Sequence, residues 1–269
     1  MMAEVAIIGL GFVGGAMFKS FTEKGVNVYG YDKYKDGGIG NIETCMHANM
    51  IFLCLPTLYN EKTEEYDKSA IYEIIDVLHK CKYNGVVIIK STIEPGTVSN
   101  LTFQYSGIRL MHNPEFLTAR TAYHDFHNQN RIILGKTHSI MRDEVDMVHK
   151  FYHKHYPNAE IVICDSKESE CMKMFVNCFY ASKVQLFNEF YMVCDHLNLN
   201  FNTIKDLMLG NGWINKRHTS VPGPDGKFSY GGACFPKDTK ALLAFMRRED
   251  LPYLALKGVV DERAQMRDD

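Results

Sequence analysis

The stretch FSYGGACFPKDTKALLAFM, Phe228 to Met246, sets a cysteine where chemistry rather than packing would want it. Cys234 follows the flexible pair Gly231 and Gly232, with Lys237 and Asp238 three and four residues later. A core thiol gains nothing from a glycine hinge, whereas a nucleophile needs access and a nearby charge that favours its thiolate. The plainer alternative is a packed thiol, with Lys237 facing solvent and Asp238 capping a helix that starts at Thr239. Upstream, Lys173 and Asn177 stand four apart in a helical pattern and share a face. A lysine and a carboxamide together offer several donors to one oxyanion, although the same spacing also occurs in ordinary polar stripes. The third group is GLGFVG, with glycines at 9, 11 and 14, followed by Asp32.

These residues need elements to hold them. EVAIIGL is a short β-branched run that stops at the glycines, and GGAMFKSFTEKG places Ala16, Met17, Phe18 and Phe21 at helical spacing. VNVYGYD reads as a second strand, MIFLCLP as a buried strand closed by Pro56, and SAIYEIIDVLHKC as an amphipathic helix. GVVIIKST, GIRLMHNPEF and NRIILG continue the strands. Strands separated by helices imply crossover units, so the expected class is α/β. Residues 1–165 form a Rossmann-like, doubly wound parallel sheet in this reading. From Ser166 a long run without proline or glycine reads as one helix, followed by NTIKDLML, a polar loop and two more helices. Residues 166–269 are therefore expected to be an all-helical central domain.

In that frame GLGFVG follows a strand and opens a helix, with Asp32 ending the next strand, which is the context a dinucleotide fingerprint requires. Gly9 permits the tight turn, Gly11 lets the backbone approach a pyrophosphate, and Gly14 lets helix pack on strand. The helix N-terminus supplies free N–H groups for the phosphate. Asp32 is expected to accept from both ribose hydroxyls and to repel a 2′-phosphate, favouring NAD over NADP, with Lys33 and Lys35 weakening that preference.

A net charge of -2 gives no basic footprint for nucleic acid. The eight cysteines include no Cys-x-x-Cys pair, which argues against a zinc ribbon or a redox pair, and no metal is expected. The N-terminal run resembles a leader in apolarity but lacks a basic start, carries Glu4 and is broken by glycines. No run is long enough to span a bilayer. The expectation is a cytoplasmic protein with reduced thiols and no membrane or nucleic-acid partner.

The chain resembles the UDP-glucose/GDP-mannose dehydrogenase family, NAD-dependent enzymes that oxidise a nucleotide-sugar alcohol to a carboxylate. The matching segments are GLGFVG, FLCLPT, KSTIEPGT, NPEFL, DFHNQNRIILG, KMFVN with FNE, VPGPDGKFSYGG and CFPKD, in the family's order across nearly the whole chain. GGACFPKD is the most specific of them. The resemblance implies two hydride transfers, with Cys234 forming a thiohemiacetal and then a thioester. It gives Lys173 and Asn177 the oxyanions, Asp238 and Thr92 a catalytic water, and Glu115 the thioester hydrolysis. Cofactor contacts would extend to Phe12, Val13, Pro56, Thr57, Thr92 and Lys237. A nucleotide-sugar substrate, UDP-glucose first, would meet Glu115, Phe116, Leu117, Lys173, Asn177, Arg217, Phe228, Tyr230 and Gly231. A homodimer through the central helical region is implied as well.

Two departures stand out. Ala119 occupies a place where the family carries an acidic residue, leaving proton transfer to Glu115. The family also continues into a second α/β domain over the nucleotide half of the substrate, and this sequence is expected to lack it. Three functions follow: a nucleotide-sugar 6-dehydrogenase working through Cys234, a weakly active NAD-binding subunit that acts with a partner, and a two-electron hydroxy-acid dehydrogenase. The last has no use for the cysteine motif.

Overall fold

The computed structural model describes residues 4–269; residues 1–3, the start of the segment weighed as a leader, lie outside the described residues. The chain forms two compact units. The first runs to Leu58 and resumes from Tyr66 to Lys173, and the second takes Tyr59–Glu65 and Met174–Asp269. The expected boundary at 165/166 coincides with the start of a helix, whereas the units divide within that helix, between Lys173 and Met174.

The first unit begins with β1 (Val5–Ile8), α1 (Phe12–Glu23), β2 (Val28–Tyr31), α2 (Ile42–Cys45) and β3 (Met50–Leu53). The short strands β4 (Tyr59–Asn60) and β5 (Glu65–Tyr66) pair with each other across the excursion into the second unit. Then come α3 (Ser69–Lys80), β6 (Val86–Ile89), α4 (Thr97–Gln104), β7 (Arg109–His112), α5 (Ala122–His127), β8 (Arg131–Lys136), α6 (Arg142–His155) and β9 (Glu160–Asp165). The seven-stranded sheet has the order β2-β1-β3-β6-β7-β8-β9. It is parallel except between β7 and β8, which pair antiparallel over Met111↔Lys136 and His112↔Gly135. The expected Rossmann-like parallel sheet is present, with this one antiparallel pair in it.

Alternate residues of the inner strands serve opposite faces, as the two-residue pleat requires. Val5, Ile7, Phe52 and Ile88 join Met17, Phe21, Phe126, Phe151 and Tyr152 on one face. Ala6, Ile8, Leu53 and Ile89 join Ile71, Ile75 and Leu78 on the other. Burial on both sides explains why these strands read as unbroken apolar runs. Each fully buried large side chain contributes about 1.5–3 kcal/mol.

The 31-residue helix α7 (Ser166–His196) leads into the second unit, which adds α8 (Phe201–Leu209), α9 (Phe235–Arg248) and α10 (Leu254–Met266). Its helical character matches expectation, save for the Tyr59–Glu65 excursion. That excursion is fastened by Glu61 to Lys240 at 2.5 Å and by Glu65 to Arg248 at 3.0 Å. Among the described residues no helix is long and apolar enough to cross a membrane, and no three His, Cys, Asp or Glu side chains cluster as metal ligands.

Candidate active site

In the first unit the chemistry gathers where open α/β sheets bind ligands, beyond the C-terminal ends of the parallel strands. The turn after β1 is built for close approach. Gly9 has φ +90°, and a Cβ there would lie 2.4 Å from the Cys54 carbonyl oxygen. A Cβ on Gly14 would lie 1.8 Å from the Gly9 oxygen, so α1 can start only over a glycine. Gly11, the N-cap of α1, has open space on its Cα face and no side-chain cap, leaving the first N–H groups of the helix available to an anion. Phe12 is exposed and Val13 half-buried beside it. These features fit a dinucleotide pyrophosphate.

Asp32 accepts from Leu10 N at 2.7 Å, Lys35 N at 2.9 Å and Tyr34 N at 3.0 Å. Burial alone would raise its carboxyl, but these bonds and the Lys35 charge hold it below the usual range. Of about four acceptor positions on a carboxylate, three are taken. That leaves acceptor capacity on Asp32 for a ligand. Lys33 is drawn off to Glu73 at 2.7 Å, and Lys35 folds back onto the Leu10 carbonyl at 2.8 Å.

The loops after β3 and β6 are tied together. Thr57 donates to the Thr92 carbonyl at 2.7 Å, and Ser91 bonds both polar backbone atoms of Leu55. Thr57 and Thr92 are buried, while Pro56 is exposed. After β7, Glu115 accepts from Leu117 N at 2.5 Å and faces the Lys173 ammonium at 3.3 Å. Lys173, on α7, is buried and lies 5.4 Å from the ring centroid of the exposed Phe116. Ala119 sits on an exposed 3-10 turn, Ala119–Thr121.

In the second unit Cys234 is exposed and occupies the N-cap of α9, with Pro236 in the first turn. A helix N-terminus favours an anion at that position. The helix begins at Phe235, not Thr239, because proline is tolerated in a first turn. Asp238 is therefore inside the helix rather than its cap. It is fully buried, accepts from Asn177 Nδ2 at 2.6 Å, and pairs with Lys237 at 2.6 Å. The hinge before the cysteine is anchored to α7, with Ser229 bonding Asn188 and Gln185 at 2.9 and 2.6 Å. Gly232, at φ +79°, supplies the bend.

Three residues expected to meet substrate have neighbours within the second unit. Tyr230 is buried, with its hydroxyl 3.3 Å from Thr239. The open face of Gly231 is filled by Arg267, whose guanidinium carbon would lie 2.2 Å from a Cβ there. Phe228 packs on Tyr191, with ring centroids 5.5 Å apart. Arg217 is exposed in the loop before α9.

The family's NAD binding domain model matches residues 38–155, and its central domain model matches residues 167–262. The chain belongs to the UDP-glucose/GDP-mannose dehydrogenase family. Its first unit carries that family's NAD-binding domain, and NAD is its cofactor. The chain is 27% identical to a UDP-glucose 6-dehydrogenase of Campylobacter jejuni over 96% of its own length and 71% of the relative's. A Rickettsia conorii UDP-glucose 6-dehydrogenase is 29% identical over 87% of this chain and 53% of its own length. A UDP-glucose dehydrogenase structure from Pyrobaculum islandicum shares the fold with a TM-score of 0.85 at 21% identity, covering 98% of this chain and 68% of that one.

Sequence reasoning passed over Lys90, Asn113 and Glu170, all buried. A lysine closing the apolar run VVII was the signal available for the first.

Proposed function

We propose that this chain oxidises a nucleotide sugar, UDP-glucose first among them, at C6 to the uronate by way of a thioester on Cys234. The observation that carries the reading is the exposed cysteine at the start of α9, one turn before a buried Asp238 bonded to Asn177. When bound, NAD supplies the hydride acceptor for both oxidations. Gly9, Gly11, Gly14 and Asp32 would hold it. The Cys234 thiolate adds to the C6 aldehyde, and Lys173 and Asn177 donate to the oxyanion that forms. Oxidation of that adduct leaves an acyl thioester. Water, steadied by Asp238 and Thr92, attacks it while Glu115 takes a proton.

The exposed apolar residues of α7, among them Phe175, Phe179, Leu186 and Val193, support a homodimer through that helix. The chain spans 71% and 53% of the lengths of the two curated relatives, which favours a second reading in which turnover needs a further segment or partner chain. The test is NADH formation from UDP-glucose and other nucleotide sugars, with Cys234→Ser beside the wild type. Turnover lost in a variant that still binds NAD supports the first reading. NAD binding without turnover on any sugar supports the second.

A further inference from the structure

Lys90 has no part in the reaction as proposed, yet its amine is buried at the heart of the first unit. It follows β6 and donates to Asn113 Oδ1 at 2.9 Å and, more weakly, to the Pro114 carbonyl at 3.4 Å. Both acceptors are neutral, and burying an ammonium on neutral partners is costly. Burial pushes the amine down to about 8, against an upward pull from Cys54 and Glu115 and a further push from Lys173. His112 on β7, held neutral by burial, and the Tyr152 hydroxyl on α6 complete the groups around it.

The location of its partners says what the cost secures. Asn113 also accepts from Tyr152 at 2.5 Å, donates to the Ile133 carbonyl at 2.7 Å, and bonds Ile89 through its backbone at 2.9 Å. Lys90 thus clamps the two residues that precede Glu115. The Glu115 carboxylate, in turn, is fixed between Leu117 N and Lys173. We propose that Lys90 is a positioning residue for Glu115, its hydrogen bonds to Asn113 and Pro114 fixing the turn that sets the carboxylate for thioester hydrolysis. This rests on the thioester reading above. In that step the water oxygen bonds to the acyl carbon, the C–S bond breaks and Cys234 leaves as a thiolate. One water proton passes to Glu115, and the other is released as the product acid ionises.

The test is Lys90→Met, which keeps length and loses the donors. Steps before hydrolysis should survive, giving a burst of about two NADH per chain with an acyl adduct on Cys234 visible by intact mass. Steady-state kcat should then fall roughly ten- to hundredfold, with KM falling alongside it and kcat/KM little changed. A residue that only packs would lower the folded yield and leave turnover per folded chain without a burst. That result, or slow turnover without a burst, overturns the proposal. Lys90→Gln, which keeps a donor, should show a smaller effect in the same direction, and it replaces the methionine variant should that one not fold. A second readout needs no turnover: acetylation of Lys173, followed by mass spectrometry, should be faster in either variant than in the wild type. Unchanged labelling overturns the clamp. Silence of the wild type on every sugar would instead count against the parent reading, while the labelling still decides the clamp.

Discussion

Replacing Glu170 by glutamine should remove a pH dependence that the fold imposes on itself. Glu170 lies on α7 with its side chain fully buried, and its two carboxylate oxygens accept from Gly96 N at 2.5 Å and Val98 N at 2.8 Å. Those donors open α4, whose N-cap, Gly96, has no side chain to offer. Burial pushes the carboxyl up to about 7, although both backbone bonds pull it down. An exposed glutamate titrates near ~4.3, so between ~4.3 and 7 the folded chain holds a proton that the unfolded chain has released. Stability from this group is therefore full below that window and is lost as pH rises through it. The loss is about 1.4 kcal/mol per pH unit, with a ceiling of roughly 4 kcal/mol. Glutamine does not titrate, and its amide can accept only one of the two N–H groups. Thermal unfolding of both proteins from pH 5 to 7.5 isolates the term, since other groups titrate alike in each. The wild type's advantage in Tm should shrink by roughly 5–10 °C across that range. A constant difference would show that Glu170 ionises like an exposed carboxylate and would refute the reasoning.

Asn177→Asp places a second carboxylate against the buried Asp238, in place of a 2.6 Å donor. Two carboxylates in one site cannot both ionise cheaply, so the variant should lose roughly 3–5 kcal/mol, with a larger Tm deficit at pH 8 than at pH 5. Phe179→Glu, at a position 66% exposed, should leave Tm nearly unchanged and convert a sedimenting dimer to monomer. A wild type that already sediments as a monomer would sink the dimer reading.

The strands were legible because VAII, MIFL and VVII are buried on both faces and carry their apolar runs openly. The glycine turn was legible for a similar reason, since positions where a Cβ would strike backbone accept only glycine. The direction of β8 was not, because RIILGK is equally apolar read either way. Glu170 looks like any acid in SKESE, and only its contact with the start of α4, far away in sequence, distinguishes it. Lys90 is similar: the partners that make it unusual belong to the turn after β7 and, beyond that, to α6. Tyr230 and Gly231 were read from a motif, which gave no sign that α10 and the residues after it supply Arg263 to the Tyr230 carbonyl and Arg267 to the Gly231 face. Residue spacing reports local geometry well, and long-range partners only by accident.

The central claim is a cysteine-dependent oxidation by two hydride transfers. Its most direct test is the yield of NADH per sugar, measured with excess NAD and limiting UDP-glucose, for the wild type and Cys234→Ser. The account predicts about two NADH per sugar from the wild type and no completed turnover from the variant, with NAD binding retained in both. One NADH per sugar from both proteins would contradict it.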